Sequence, residues 1–197
     1  MIRNNILSLF VLCLAFLITW HTDAYCGQVS REPNKPRTIE GKPGFSLSSL
    51  SFGNSQTIPE KYSYNMKPQC SGDNYSPTLV WKGVPAGTKS LAIIMHDPDG
   101  GDWTHWVQFN IPPGVMRLDE AKGGPDAGLK GANSFGGIGY AGPCPPSDGR
   151  THRYILTLYA LDSEINLQTG VSREYLQKAM SGHILGKALL TGLKKRD

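Results

Sequence analysis

Residues 90–112 read SLAIIMHDPDGGDWTHWVQFNIP, and how this stretch divides decides the fold. Two apolar runs, SLAIIM and HWVQFNIP, flank a turn dense in Asp, His and Gly. Each run has the length of a strand, and Gly and Pro supply the breaks. FSLSSLSF, PTLVWKGV and HRYILTLYAL have the same form elsewhere, and 23 glycines and 14 prolines punctuate the chain. The pattern predicts a mainly β, mostly antiparallel domain. A buried strand ordinarily ends in neutral turn formers, so the ionisable turn HDPDGGDW is either a solvated loop or one wall of a site.

The N-terminus reads as a targeting segment. Ile6 to Trp20 is an almost unbroken apolar run, ILSLFVLCLAFLITW, shorter than the roughly 20 residues a spanning helix needs. Thr22 and Ala24 fit the small-x-small pattern of a signal peptide, which places cleavage after Ala24. An uncleaved anchor is the alternative, and Tyr25 is too large for a lipoprotein cleavage site before Cys26. Residues 1–24 are thus read as a signal peptide, with a periplasmic or secreted destination and no transmembrane segment after cleavage. Of 197 residues, removal of the first 24 leaves 173, enough for one domain with a real core. Residues 25–44 are polar and rich in Pro and Gly, a flexible arm. The domain runs from 45 to 197.

The formal net charge of +4 is scattered, and the tail LKKRD reads as a solvated end, so nucleic acid is not an expected partner. Cys13 falls in the signal, leaving Cys26, Cys70 and Cys144. An odd number in an exported chain suggests one bridge and one spare thiol. Cys70 and Cys144 both lie in turn-rich parts of the domain, which favours their pairing without establishing it. Near the end, SREYLQKAMSGHILGKALLTGLKK places Tyr175, Leu176, Ala179 and Met180 at helical spacing, then Ile184, Leu185, Ala188 and Leu189. Two short helices broken at Gly182 are expected, the first capped by Ser172. The stretch between Pro112 and Arg150 reads as long loops.

Alternation suggests where the polar groups go. His105 has the parity of Val107, Phe109 and Ile111, and His152 that of Tyr154, Leu156 and Leu158, so both start strands on apolar faces. Taken alone, each reads as a core histidine satisfied by backbone groups. The segment GYAGPCPPSDGRTHRY shifts that weighting, because its Gly142–Pro143 and Pro145–Pro146 steps make a stiff rim beside His152.

The elements SPTLVWKGVPAGTKSLAIIMHDPDG, THWVQFNIP, GYAGPCPP followed by HRY, and AMSGHILGKALLTG together resemble the phosphatidylethanolamine-binding protein family, in its bacterial Raf-kinase-inhibitor-like branch. The resemblance covers about Phe45 to Gly192. It implies an antiparallel β-sandwich with short C-terminal helices and a small anion pocket at one end. Carried over by position, the pocket walls are Asp97, His105, Gly142, Pro143 and His152, with Trp103 and Tyr154 as further members. The implied ligands are phosphate, acetate-like anions and the phosphorylethanolamine head group. Where members of the family commonly read DPDAP this chain reads DPDGGDW, and Leu193 stands where an aromatic residue is usual.

Asp97 is expected to bond a histidine or, as the resemblance implies, to receive an amine or another donor from the ligand, since an unpaired carboxylate would repel an anion, and the Gly142 amide is expected to donate to the ligand. Asp99 reads as a turn residue, His96 as a strand-end residue and His183 as a helix-packing one. With no Lys or Arg fixed by these motifs, binding should be weak. The main reading is a binding protein for a small anionic or phospholipid head group, with no cofactor. A protein-interaction module of the kinase-inhibitor type, with a partner the sequence does not identify, is the first alternative. A metal-dependent hydrolase built on His96, Asp97, His105 and His152 is the second. The chain has no HExxH, no paired-Cys spacing and no G-x-S-x-G elbow, so it is read as not an enzyme.

Overall fold

Glycine and proline punctuation cuts the chain into strands that are mostly short, and among the described residues three exceed eight residues. The computed structural model describes residues 44–196. The signal peptide expected at 1–24, the arm as far as residue 43 and Cys26 lie outside them. In chain order the elements are β1 (Ser46–Ser49), β2 (Gln56–Thr57), a 3-10 turn (Glu60–Tyr62), β3 (Asn65–Met66), β4 (Cys70–Ser71), β5 (Leu79–Lys82) and β6 (Ser90–Asp97). There follow β7 (Trp103–Ile111), β8 (Arg117–Leu118), β9 (Leu129–Lys130), β10 (Thr151–Leu161), α1 (Arg173–Met180) and β11 (Ile184–Lys195).

A six-stranded sheet in the order β2-β11-β10-β6-β7-β9 faces a three-stranded sheet, β1-β5-β8, and β3 and β4 form a separate ribbon. Every pairing is antiparallel except β2 with β11, which is parallel. Alternation explains the layers. Leu91, Ile93 and Met95 of β6 and Tyr154, Leu156 and Leu158 of β10 point to the same side, where they pack with Leu47, Leu79 and Trp81 of the small sheet. Ala92, Ile94, Val107 and Phe109 point to the opposite face and bury Leu176 and Met180 of α1. Those two helical residues are four apart, on one stripe. Each fully buried aliphatic or aromatic side chain in these layers contributes roughly 1.5–3 kcal/mol of transfer free energy before entropy is counted. Among the described residues no helix is long and apolar enough to cross a membrane.

One of the two expected C-terminal helices forms. Ser172 caps it, its hydroxyl accepting the Tyr175 amide, and the chain leaves it through Gly182 at φ +87°. The second is a strand: Ile184–Lys195 pairs along β10 from Leu161↔Ile184 to Thr151↔Lys195. Glycines at 182, 186 and 192 weaken a helix here, each costing about 1 kcal/mol relative to Ala. In the strand, Gly186, Ala188, Leu190 and Gly192 fall on the buried face. A Cβ on Gly192 would lie 2.5 Å from the Ile58 side chain, so the close approach of the strand requires a residue without one. His183 sits in the turn after α1, where its amide bonds the Met180 carbonyl and Nδ1 bonds Asp162 at 2.8 Å.

The expected face of His105 also needs correction. Met95 pairs with Trp106 and His96 with Thr104, so His105 is the extra residue of a bulge. A second irregularity, with Asn110 at φ +53°, lies further along β7. Asn110 is held there by two bonds of its side-chain amide to the Ile165 backbone. Ile111 and Trp106 consequently lie in the inter-sheet core, while Val107 and Phe109 lie under α1. A bulge re-aims the side chain it carries, and this one turns His105 toward Tyr154, with ring centroids 5.1 Å apart.

Candidate functional site

Three strand ends meet at one edge of the sandwich: the end of β6 and the starts of β7 and β10. They supply Asp97, Trp103 and His105, and His152 and Tyr154, which line a cavity of about 180 Å³ together with Gly100, Phe135, Cys144, Pro145 and Pro146. Five of the seven residues expected at the site are therefore brought together.

Asp97 is buried and fully engaged. Its Oδ1 accepts the amides of Asp99 and Gly100, both at 2.9 Å, and Oδ2 takes the Nδ1–H of His152 at 2.7 Å. The expected carboxylate–histidine bond is present. Gly100 is a glycine for a local reason, since a Cβ there would stand 2.8 Å from Asp97 Oδ2. Asp99 acts outside the cavity: the Arg153 guanidinium grips its carboxylate with bonds of 2.8 and 2.9 Å, holding that acid well below the usual carboxylate range. This pair ties the β6–β7 turn to β10. Asp102, in the same turn, is gripped by Arg173 of α1, and His96 lies 3.6 Å from it.

Both pocket histidines have their tautomers set by their partners. A carboxylate or carbonyl oxygen can only accept, so the ring nitrogen facing it carries the proton. His152 gives Nδ1–H to Asp97, which leaves Nε2 as its remaining polar atom; that atom is buried with no partner among the described residues. His105 gives Nδ1–H to the Ala141 carbonyl at 2.7 Å. Burial pushes the His105 pKa down to about 4, against the opposing pull of that carbonyl and of Asp97, so the ring is neutral at pH 7 and its Nε2 bears a lone pair. The Tyr154 hydroxyl is also buried without a partner among the described residues, and burial raises its pKa, with nearby Asp97 adding to the effect. The site thus offers a hydroxyl donor beside the Nε2 lone pair of His105 and the unpartnered Nε2 of His152 in an apolar frame.

Phe135 completes that frame and carries no motif in the sequence. It stacks on Tyr64 at 4.1 Å between centroids and meets Trp103 and His105 edge-on at 5.4 and 5.7 Å. Its placement is set by Asn133, whose Oδ1 accepts the amides of Phe135 and Gly137 and whose Nδ2 donates to the Gly139 carbonyl. Ser134 pins the same loop to β7 through backbone and hydroxyl bonds to Thr104. A lone aromatic between an Asn-Ser step and a Gly-Gly step was the available signal.

Gly142 and Pro143 do not line the cavity; Pro145 and Pro146 do. The Gly142 amide donates to Asn74 Oδ1 at 2.8 Å, and the Pro143 carbonyl accepts the Tyr64 amide at 3.0 Å. A Cβ on Gly142 would fall 2.1 Å from the Tyr62 carbonyl. The glycine therefore permits close approach to the chain's own backbone, and its amide is spent there instead of on a ligand. The expected disulfide does form, between Cys70 and Cys144 with Cα atoms 5.8 Å apart, and fixes the loop from the other side. No three His, Cys, Asp or Glu side chains among the described residues converge on a point that could hold a metal ion.

Comparison with known proteins agrees with this architecture. The family model described as phosphatidylethanolamine-binding protein matches residues 48–195. A UPF0098 protein of Methanothermobacter thermautotrophicus is 46% identical over 156 residues, 76% of this chain and 98% of its own. Among solved structures, a PEBP homologue from Chlamydia trachomatis, CT736, superposes with a TM-score of 0.70 at 39% identity, over 79% of this chain and 100% of its own. YbcL of E. coli, described as a member of the mammalian PEBP family, gives 0.73 at 29% identity, over 78% and 99%. With the family model matched over residues 48–195 and a relative 46% identical over 76% of the chain, the chain belongs to the phosphatidylethanolamine-binding protein family.

Proposed function

We propose that this protein is an exported binding protein whose cavity at Asp97, His105 and His152 holds a small anion or a phospholipid head group such as phosphorylethanolamine. One observation carries the reading. Two buried imidazoles with fixed tautomers and an unpartnered tyrosine hydroxyl face one small cavity, and such groups are costly to bury unless a ligand satisfies them. The family description, which names binding and no reaction, supports a binding role over an enzymatic one.

The donor and acceptor pattern narrows the ligand. With Nε2 of His105 unprotonated, a bare oxyanion meets lone pairs. A ligand bearing its own proton, or an ammonium beside its phosphate, meets acceptors for those hydrogens and the Tyr154 hydroxyl for an oxygen. Binding of inorganic phosphate should therefore strengthen as pH falls between about 8 and 6, because the ligand must carry the proton that the His105 lone pair accepts. Export is supported by the apolar N-terminal run with Ala24 as the cleavage residue, and by a disulfide, which persists in oxidising compartments.

The test is equilibrium binding of phosphorylethanolamine and phosphate to the protein and to His105→Ala and His152→Ala. Each variant is expected to lose binding while keeping a folded spectrum. If both bind as the parent does, the assigned cavity is wrong.

A further inference from the structure

A second cleft lies on the other side of the proline loop. It measures about 300 Å³, and its walls include Glu60, Ser63, Ser71, Lys194, Lys195 and Arg196. Pro145 belongs to both cavities, and Cys70 lines this one while its disulfide partner Cys144 lines the other. The two spaces are separated by that loop and bridge.

Its chemistry is unlike that of the histidine cavity. Lys194 and Arg196 stand in its wall with a single carboxylate among the described residues, Glu60, which takes Lys194 Nζ at 2.6 Å. The same ammonium reaches the Ile58 carbonyl at 3.3 Å, which fixes it at the cleft. Arg196 is anchored by Nη1 on the Gln69 carbonyl at 2.6 Å, and its Nε is buried with no partner among the described residues. Ser63 supplies an independent pointer: the residue is 1% exposed and its hydroxyl has no partner among the described residues. A buried hydroxyl left unsatisfied costs about 1–3 kcal/mol, and a ligand oxygen would satisfy it. Hydroxyl, ammonium and guanidinium donors around one small space suit a tetrahedral oxyanion.

We propose that this cleft is a second anion site, taking a phosphate-class oxyanion, free or as a monoester, independently of the histidine cavity. Arg196 and Lys194 supply charge and Ser63 a neutral donor. Because these cations need no proton uptake and favour the dianion, occupancy here weakens as phosphate takes up its proton between about pH 8 and 6, opposite in direction to the histidine cavity.

The test is an amide NMR titration of the protein with sodium phosphate against chloride at matched ionic strength, repeated with glycerol 3-phosphate. Saturable shifts at Ser63, Ser71, Lys194 and Arg196 are expected, persisting in His105→Ala. They should weaken about tenfold in Lys194→Gln/Arg196→Gln and severalfold in Ser63→Ala, which removes one hydroxyl and no charge. Binding of both compounds extends the site to esters, and binding of phosphate alone limits it to the free ion. Shifts that follow chloride, or that survive unchanged in both variants, overturn the proposal. Loss of response at Asp97 and His152 alone would instead count against the histidine cavity and leave this site standing.

Discussion

His105 is the residue on which the site's electrostatics turn. A β-bulge, a carbonyl partner and near-complete burial together make it a neutral imidazole of one tautomer. Its folded pKa of about 4 lies below the ordinary value of 6.5, so between those values the unfolded chain binds the extra proton. Stability from this group is therefore full above pH 6.5 and is lost as pH falls toward 4, by on the order of 3 kcal/mol. His96, also lowered by burial, adds in the same direction. Denaturant unfolding between pH 4 and 7 should show a rising stability that flattens in His105→Gln. Equal slopes in protein and variant would mean that His105 titrates normally. His152 was placed by simple strand parity, and Asp97 by the family resemblance together with the repulsion an unpaired carboxylate would exert on an anion. The aim of His105 was not legible in the sequence, since an inserted residue in β7 breaks the alternation on which that parity depends.

At the scale of elements, the loop over residues 139–146 has two faces, one toward each cavity. Three constraints hold it: the Gly142 amide on Asn74, the Pro143 carbonyl on Tyr64 and the disulfide to β4. The bridge spans 74 residues of sequence, and closing so long a loop restricts the unfolded chain strongly. Cys144→Ser should accordingly lower stability by about 2–5 kcal/mol, read as a drop in thermal midpoint that reductant reproduces in the parent. An unchanged midpoint would show that the bridge contributes nothing. The Gly-Pro run was visible in sequence as a stiff rim, yet which of its residues reach the cavity depended on contacts with residues 62–74, far away in the chain. The same limit applies to β11. Its Leu, Ala and Lys residues fit a helix locally, and only the ladder to β10 and the packing of Gly192 on Ile58 select the strand.

For the whole molecule, the sandwich explains why the polar groups collect at one end. Inward-facing positions of β6 and β10 are apolar along their length and become Asp97 and His152 where the strands run out of the core. Apolar runs of strand length between Gly and Pro breaks made the β class readable from the sequence, and the sandwich followed from the family resemblance. The second cleft arises from long-range assembly and has no local pattern, while Phe135 was marked only by the Asn-Ser and Gly-Gly steps around it and the single-helix ending only by its glycines. Function then rests on the site rather than on the fold, and the central claim is that the histidine cavity binds a protonated anion or head group. Its most direct test is an imidazole nitrogen NMR titration of the protein with phosphorylethanolamine after chelator treatment. Saturable changes at Nε2 of His105 and His152, with the Nδ1 protons retained on Ala141 and Asp97, are the predicted result. Imidazole signals that stay unmoved while the ligand is added to saturation would contradict the account.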